Sequence, residues 1–459
     1  MSSKRRTLVI LGASGDLTAR LLLPGLGQFL SDSPDLDVEL IGVGATPMTP
    51  AEWRKRVTAS FKSGGADPAI VKRVVAETTY FEADATSAED LARILAKCSG
   101  TPALYFALPP AVTEKVCATL STMKLPTGIV LALEKPFGTD LTSARALNRL
   151  LSKFVTEKQI HRVDHFLGKS TVLNILGLRF ANRLFEHSWN ASNIERVEIS
   201  YDEQLGLENR AGYYDKAGAL IDMIQSHLLQ VLAVVAMEPP STLDSDDLRG
   251  AMAQALRATH VWNGKPETST RRARYGAGTI DGRKLGAYAK EPGVDPARKT
   301  ETLAEITLAI DNWRWAGVPF VLRSGKALAD SEKGILITFK PVPHLPTGLT
   351  GTDAPAQLHI SLDPHMMRLD LNINGEGNPF TLDKITLSAT FADSVMGAYG
   401  EVLEGILTGD PILSVRGDVA EECWRIVGPV VKAWQKDLVP LESYPAGSSG
   451  PRSWKTLPA

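Results

Sequence analysis

The sequence predicts an α/β domain built on a doubly wound parallel sheet, followed by a larger α+β domain with an extended antiparallel sheet. Three observations lead there. Short β-branched runs alternate with helical patterns over the first third of the chain, and such alternation implies parallel strands joined by right-handed crossovers. Much of the remainder consists of strand-like segments with no helices between them, the pattern of an antiparallel sheet. The chain has 459 residues, too many for one ordinary domain and enough for two.

In chain order, the predicted strands of the first domain are 7–11, 38–43, 103–107 and 129–134. The boundary falls near 159–164, giving domains 1–163 and 164–459. One long helix is expected over 217–236, because Leu220, Met223, Ile224, Leu228 and Val231 form an apolar stripe at helical spacing. Alternating segments at 304–310, 334–339, 357–362 and 368–373 read as strands of the second domain. Residues 443–459, rich in Pro, Ser and Gly, read as a loosely held tail. No internal repeat is visible.

Composition narrows the function. Hydrophobic residues make up 44% and charged residues 22%, values of an ordinary globular chain and not of a disordered one. Fifty basic against 52 acidic residues leave a net charge of -2, which argues against nucleic acid or an anionic membrane as the main partner. The most apolar run, 228–237, is half of the ~20 residues a membrane span needs. The apolar run after the basic N-terminus is too short for an export signal. Cys98, Cys117 and Cys423 show neither metal nor disulfide spacing, which suits a reducing compartment, so a cytoplasmic enzyme without a metal is expected.

Three segments concentrate polar chemistry. The first strand runs into Gly12-Ala13-Ser14-Gly15-Asp16-Leu17 and then a helical pattern, a turn that lets backbone N–H groups approach a pyrophosphate. G-x-x-G alone is also an ordinary βα turn; its place at the start of a βαβ unit favours the nucleotide reading. The second strand ends in Gly42-Val43-Gly44-Ala45-Thr46, with neither an acid for a ribose hydroxyl nor an arginine for a 2′-phosphate. Arg54, Lys55 and Arg56 read as a solvated helix face. Glu134-Lys135-Pro136 closes a strand at the sheet's carboxyl edge, and Asp164, His165 and Lys169 lie within six residues. Cations there suit an anionic, hydroxylated substrate and the acid suits a histidine base, although a plain surface turn has the same composition. His227 lies at the edge of the apolar stripe, where a half-buried structural histidine is the competing reading. An offset of five residues places Asp222 about 140° around an α-helix from His227, so the orienting carboxylate should come from elsewhere, with Asp164 the candidate.

Taken together, these segments resemble the glucose-6-phosphate dehydrogenase family. The matching stretches are GASGDL at 12–17, LYFALPP at 104–110, EKPFGTDL at 134–141, RVDHFLGKSTVLNILGLRFAN at 162–182, GYYDKAGALIDMIQSHLLQ at 212–230 and DNWRWAGVPFVLRSGK at 311–326. The resemblance implies a Rossmann-type domain joined to a larger α+β domain whose sheet makes homodimer or homotetramer contacts. It implies oxidation of β-D-glucose 6-phosphate to the 6-phosphogluconolactone, with NADP as hydride acceptor. It also implies roles. His227 matches the general base and Asp164 its carboxylate partner, while His165 and Lys169 match phosphate ligands. Lys135, beside a cis Pro136, touches substrate and cofactor. Glu203, Asp222 and Lys326 match sugar ligands; Gly12, Ala13, Ser14, Gly15, Asp16, Leu17 and Tyr105 match cofactor contacts.

Five positions depart from the family pattern. Leu21 and Ser331 stand where cations are usual, Phe166 replaces a tyrosine, Asp363 a glutamine, and Ala45 the arginine associated with the NADP 2′-phosphate. The reaction type is therefore better supported than the substrate. Two rivals follow: a dehydrogenase of another sugar or sugar phosphate that prefers NAD, and a non-catalytic paralogue that binds sugar phosphate or nucleotide. The second is disfavoured by the intact His227, Asp164, Lys135 and Lys169.

Overall fold

Strand β1 (Arg6–Leu11) lies in the middle of a sheet whose central residues, Leu8 to Leu11, are wholly buried on both faces. The computed structural model describes residues 5–208, 211–351, 353–391 and 396–454. It divides into two compact units, one formed by Met1–Ser170, Pro240–Ala253 and Ser394–Glu422, the other by Thr171–Pro239, Gln254–Asp393 and Cys423–Ala459.

In the first unit β1 is joined by β2 (Val38–Gly44), β3 (Thr79–Glu82), β4 (Thr101–Phe106), β5 (Val130–Glu134) and β6 (Ile160–Val163). All six are parallel, in the order 3-2-1-4-5-6. Alternate residues feed opposite faces: Leu8, Ile10, Tyr105 and Ala132 enter one core, Val9, Leu11, Leu104 and Leu133 the other. The strand order reverses between β1 and β4, the switch point where such sheets bind ligands. This unit is not confined to residues before 164. Ser414–Val415 adds an antiparallel strand beside β6, and the helix Ala398–Thr408 packs on Leu23–Asp32. A Cβ at Gly25 would lie 2.9 Å from the Gly400 nitrogen, so glycine permits that close approach.

In the second unit the sheet runs Thr350–Gly351, Thr381–Thr390, His365–Asn374, Gln357–Leu362, Lys333–Phe339, Ile194–Asp202, Phe320–Gly325, Leu303–Ile310, Thr270–Gly276, Leu441–Pro445, with Thr259–Val261 alongside Leu303–Ile310. It is mixed and not purely antiparallel, since Ile194–Asp202 and Phe320–Gly325 run parallel, as do Thr270–Gly276 and Leu441–Pro445. The last pair corrects the expectation of a loose tail. Tyr444 is 1% exposed and donates its hydroxyl to the Lys326 carbonyl at 2.6 Å, and Trp454 donates to Glu442 at 2.8 Å. Residues 455–459 lie outside the described residues. Proline and glycine make the segment look mobile, but two aromatic side chains anchor it.

The expected helix over 217–236 is also revised. It comprises Ala211–Ala219, a π-helix Leu220–Leu228 and an α-helix Leu229–Ala236, with a break at Gly218, whose φ is 65°. The whole stretch is long and apolar enough to cross a membrane, contrary to the sequence reading, yet it is almost entirely buried inside the protein. Its last carbonyls are satisfied by side chains. The buried Arg179 donates to Val234, Val235 and Met237 at 3.1, 3.0 and 2.9 Å. Trp189 and Trp315 donate to Val235 and Ala236 at 2.9 and 2.8 Å. Arg179→Met leaves the Val234 and Met237 carbonyls without their side-chain donor, while Val235 keeps Trp189, and should lower unfolding free energy by about 3 kcal/mol in chemical denaturation.

Candidate active site

The turn after β1 is fixed by its own backbone. Gly12 and Ala13 donate to the Val43 carbonyl at 2.8 and 2.9 Å, and Gly15 donates to Gly12 at 3.0 Å. Gly12 has φ of 91°, and a Cβ there would meet the Ala107 carbonyl oxygen at 2.1 Å. The loops after β1 and β4 thus approach so closely that only glycine fits. A helical segment begins directly after the turn, with the π-turn Thr18–Leu22. Ser14, Gly15, Asp16 and Leu17 remain accessible, whereas Ala13 packs beneath them. Arg56, read from sequence as part of a solvated face, instead donates to the Ser14 and Gly15 carbonyls at 2.9 and 3.2 Å. Nothing short of the fold reveals that brace, since 41 residues separate the partners. A bare glycine cradle at a switch point, with a helix start behind it, fits a dinucleotide pyrophosphate.

A polar cluster gathers at the carboxyl ends of β4, β5 and β6. Tyr105, expected to touch cofactor, is wholly buried and donates its hydroxyl to Glu134 at 2.5 Å. Tyr399 adds a second donor to Glu134 at 3.5 Å, and its ring stacks on His165 with centroids 5.4 Å apart. Sequence reading missed both Glu134 as a participant and Tyr399, which arrives from a distant segment. Lys135 follows Glu134 and precedes Pro136 through a cis bond. Asp164 is buried and accepts from the Phe166 amide at 2.9 Å. Lys169 sits over the Phe166 ring at 5.1 Å.

Burial sets the titration of this cluster. Desolvation pushes Glu134 up to about 7, against the opposing pull of Tyr105 and Lys135. It pushes Asp164 up to about 6, countered by His165 and the Phe166 amide.

In the second unit His227 and Asp222 lie on the π-helix, 1% and 8% exposed. Hydrogen bonds in a π-helix close i to i+5, so two residues five apart lie roughly one turn from each other. The 140° separation read from α geometry therefore does not hold. Glu203 and Lys326 come together at 2.5 Å, and the lysine lies over the Tyr214 ring at 5.3 Å. The buried Tyr214 hydroxyl is held well above its ordinary range by desolvation and by Asp222 and Glu301 nearby. Of the departing positions, Ser331 donates to the Asp202 carbonyl at 3.2 Å, while Asp363 accepts from Lys333 at 2.8 Å.

A doubly wound parallel sheet with a glycine cradle at its switch point defines a nucleotide-binding protein of the Rossmann type. Residues 9–174 match the family description "Glucose-6-phosphate dehydrogenase, NAD binding domain", and 176–459 match "Glucose-6-phosphate dehydrogenase, C-terminal domain". The chain is 37% identical to glucose-6-phosphate 1-dehydrogenase of Rhizobium meliloti (strain 1021) and 38% identical to that of Gluconobacter oxydans (strain 621H). Each match covers 96% of this chain and 94% of the relative. A solved glucose-6-phosphate dehydrogenase in complex with glucose 6-phosphate superposes with a TM-score of 0.88 at 29% identity, covering 98% of this chain and 96% of that one. The chain belongs to the glucose-6-phosphate dehydrogenase family.

Two measurements check the first unit. Gly12→Ala should weaken dinucleotide binding by about 100-fold in calorimetric titration, because cradle and neighbouring loop then collide. Glu134 has an ordinary value of 4.5 and a folded value of about 7. Between these, the folded chain keeps a proton that the unfolded chain has lost. Stability from this group is therefore present at low pH and declines as pH rises, by at most about 1.4 kcal/mol per pH unit. Glu134→Gln should flatten that decline in unfolding titrations across the window.

Proposed function

We propose that this chain oxidises C1 of β-D-glucose 6-phosphate to 6-phospho-D-glucono-1,5-lactone, the entry step of the pentose phosphate route. The observation that carries the reading is family membership along almost the whole chain, with His227, Asp164, His165 and Lys169 all present. When bound, the nicotinamide accepts the hydride from C1. The protein's part is to bind, align and move a proton. The cradle from Gly12 to Leu17 takes the pyrophosphate. His227, as neutral imidazole, takes the proton of the C1 hydroxyl, and Asp164 orients the ring and stabilises its charged form. His165 and Lys169 hold the sugar phosphate, Lys135 bridges substrate and cofactor, and Glu203, Asp222 and Lys326 bind sugar hydroxyls.

For the cofactor we propose relaxed choice, NADP being used with NAD accepted. Ala45 is exposed and offers no charge to a 2′-phosphate, and Arg56 is committed to the cradle carbonyls. For the sugar phosphate we propose weakened binding, because Lys333, the cation nearest in sequence to Ser331, is held by Asp363. Assembly as a homodimer or homotetramer through the sheet is proposed on the exposure of Ile373, Phe380 and Leu387 along its outer strands and turn. A cytoplasmic location is proposed with it.

Initial rates with glucose 6-phosphate at saturating NADP, then at saturating NAD, test the reading. Turnover with both, abolished in His227→Asn, is the expected outcome; turnover confined to another sugar would overturn it. Asp363→Gln frees Lys333 and should lower the Michaelis constant for glucose 6-phosphate about tenfold, the value of one charge-assisted contact.

A further inference from the structure

The break at Gly218 immediately precedes the π-helix that carries Asp222 and His227, and one residue from another part of the chain holds it. Glu301 grips two successive positions. Its carbonyl accepts from the Ala219 amide at 3.3 Å and its carboxylate Oε1 from the Leu220 amide at 3.0 Å. The fit is tight, since a Cβ on Gly218 would stand 2.2 Å from the same Oε1. No side chain of the helix itself caps this end.

Ala219 and Leu220 are 1% and 2% exposed, so packing holds the turn from one side. A cavity of about 500 Å³ lies against this turn, lined among others by Ala217, Leu220, Ile221, Thr300, Glu301 and Trp434. On the cavity side the chain has no protein neighbour, so the bonds its amides make help set its direction. The bonds here come from Glu301, which is only 7% exposed and so is not loosened by water.

We propose that Glu301 is a positioning residue for the reaction: by clamping the amides at this break it sets the direction in which the π-helix presents His227. It is not among the proposed sugar or dinucleotide ligands and acts through the helix. The inference rests on His227 being the base.

Two substitutions separate reach from charge. Gln keeps an oxygen at the same distance without the charge, whereas Asp keeps the charge one methylene short. Glu301→Gln should retain kcat within about threefold, while Glu301→Asp should lose about 10- to 100-fold, the usual penalty for an ångström of misplacement. The dinucleotide dissociation constant should stay unchanged in both, and their melting temperatures should not rank as their rates do. Any other ranking overturns the proposal: Asp active with Gln impaired, both like the parent, or both impaired alike. A parent chain without turnover of glucose 6-phosphate would overturn the substrate reading instead. Glu301 is then judged by the same ranking with the sugar that the parent does oxidise.

Discussion

At the end of β5 the half-buried Glu134 carboxyl meets Tyr105, Tyr399 and Lys135, and the chemistry around it follows from that. A buried carboxyl needs donors or a cation to keep its charge, and otherwise takes up a proton. Here Tyr105 and Tyr399 supply hydroxyls and Lys135 a nearby charge. Tyr399 reaches Glu134 at 3.5 Å and stacks its ring on His165. Glu134 and a proposed phosphate ligand thus share one aromatic neighbour. In the second unit the same constraint recurs with different partners. Asp202, pushed up to about 6 by burial, is answered by Arg323 at 2.8 Å. Glu301, pushed up to about 7, is answered by the Leu220 amide. Charge removed from water acts over longer range and with greater force, which is what a site handling a proton and a phosphate requires.

What the sequence made legible were features dictated by local pattern. Strands β1 and β2 were located to within a residue, because buried parallel strands are continuous apolar runs bounded by glycine. The cradle was legible because only glycine permits its turn. The π-helix was not, since an apolar stripe at three- and four-residue spacing looks the same whether one turn is widened or not. Arg56, Tyr399 and Glu301 were not, because each acts on a partner dozens or hundreds of residues away, and no spacing rule reaches that far. The tail misled for a related reason: proline and glycine signal freedom of the backbone, but Tyr444 and Trp454 decide whether the freedom is used.

The departures from the family pattern fall beside the proposed binding residues and not on the proposed base or its carboxylate partner. Phe166 lacks a hydroxyl, yet its ring lies under Lys169 and edge-on to His165. An aromatic face attracts a cation, so the two proposed phosphate ligands keep a common support. Lys333 is different. It is held by Asp363 at one side and lies 5.3 Å over the Tyr201 ring, so its charge is already answered. For a sugar phosphate to use that charge it must compete with a carboxylate fixed in the protein, and an anion that replaces another anion gains only the difference. His227 and Asp164 are untouched by any of the five changes. The proposed weakening of phosphate binding rests on these positions, while the machinery proposed to remove the proton stays intact.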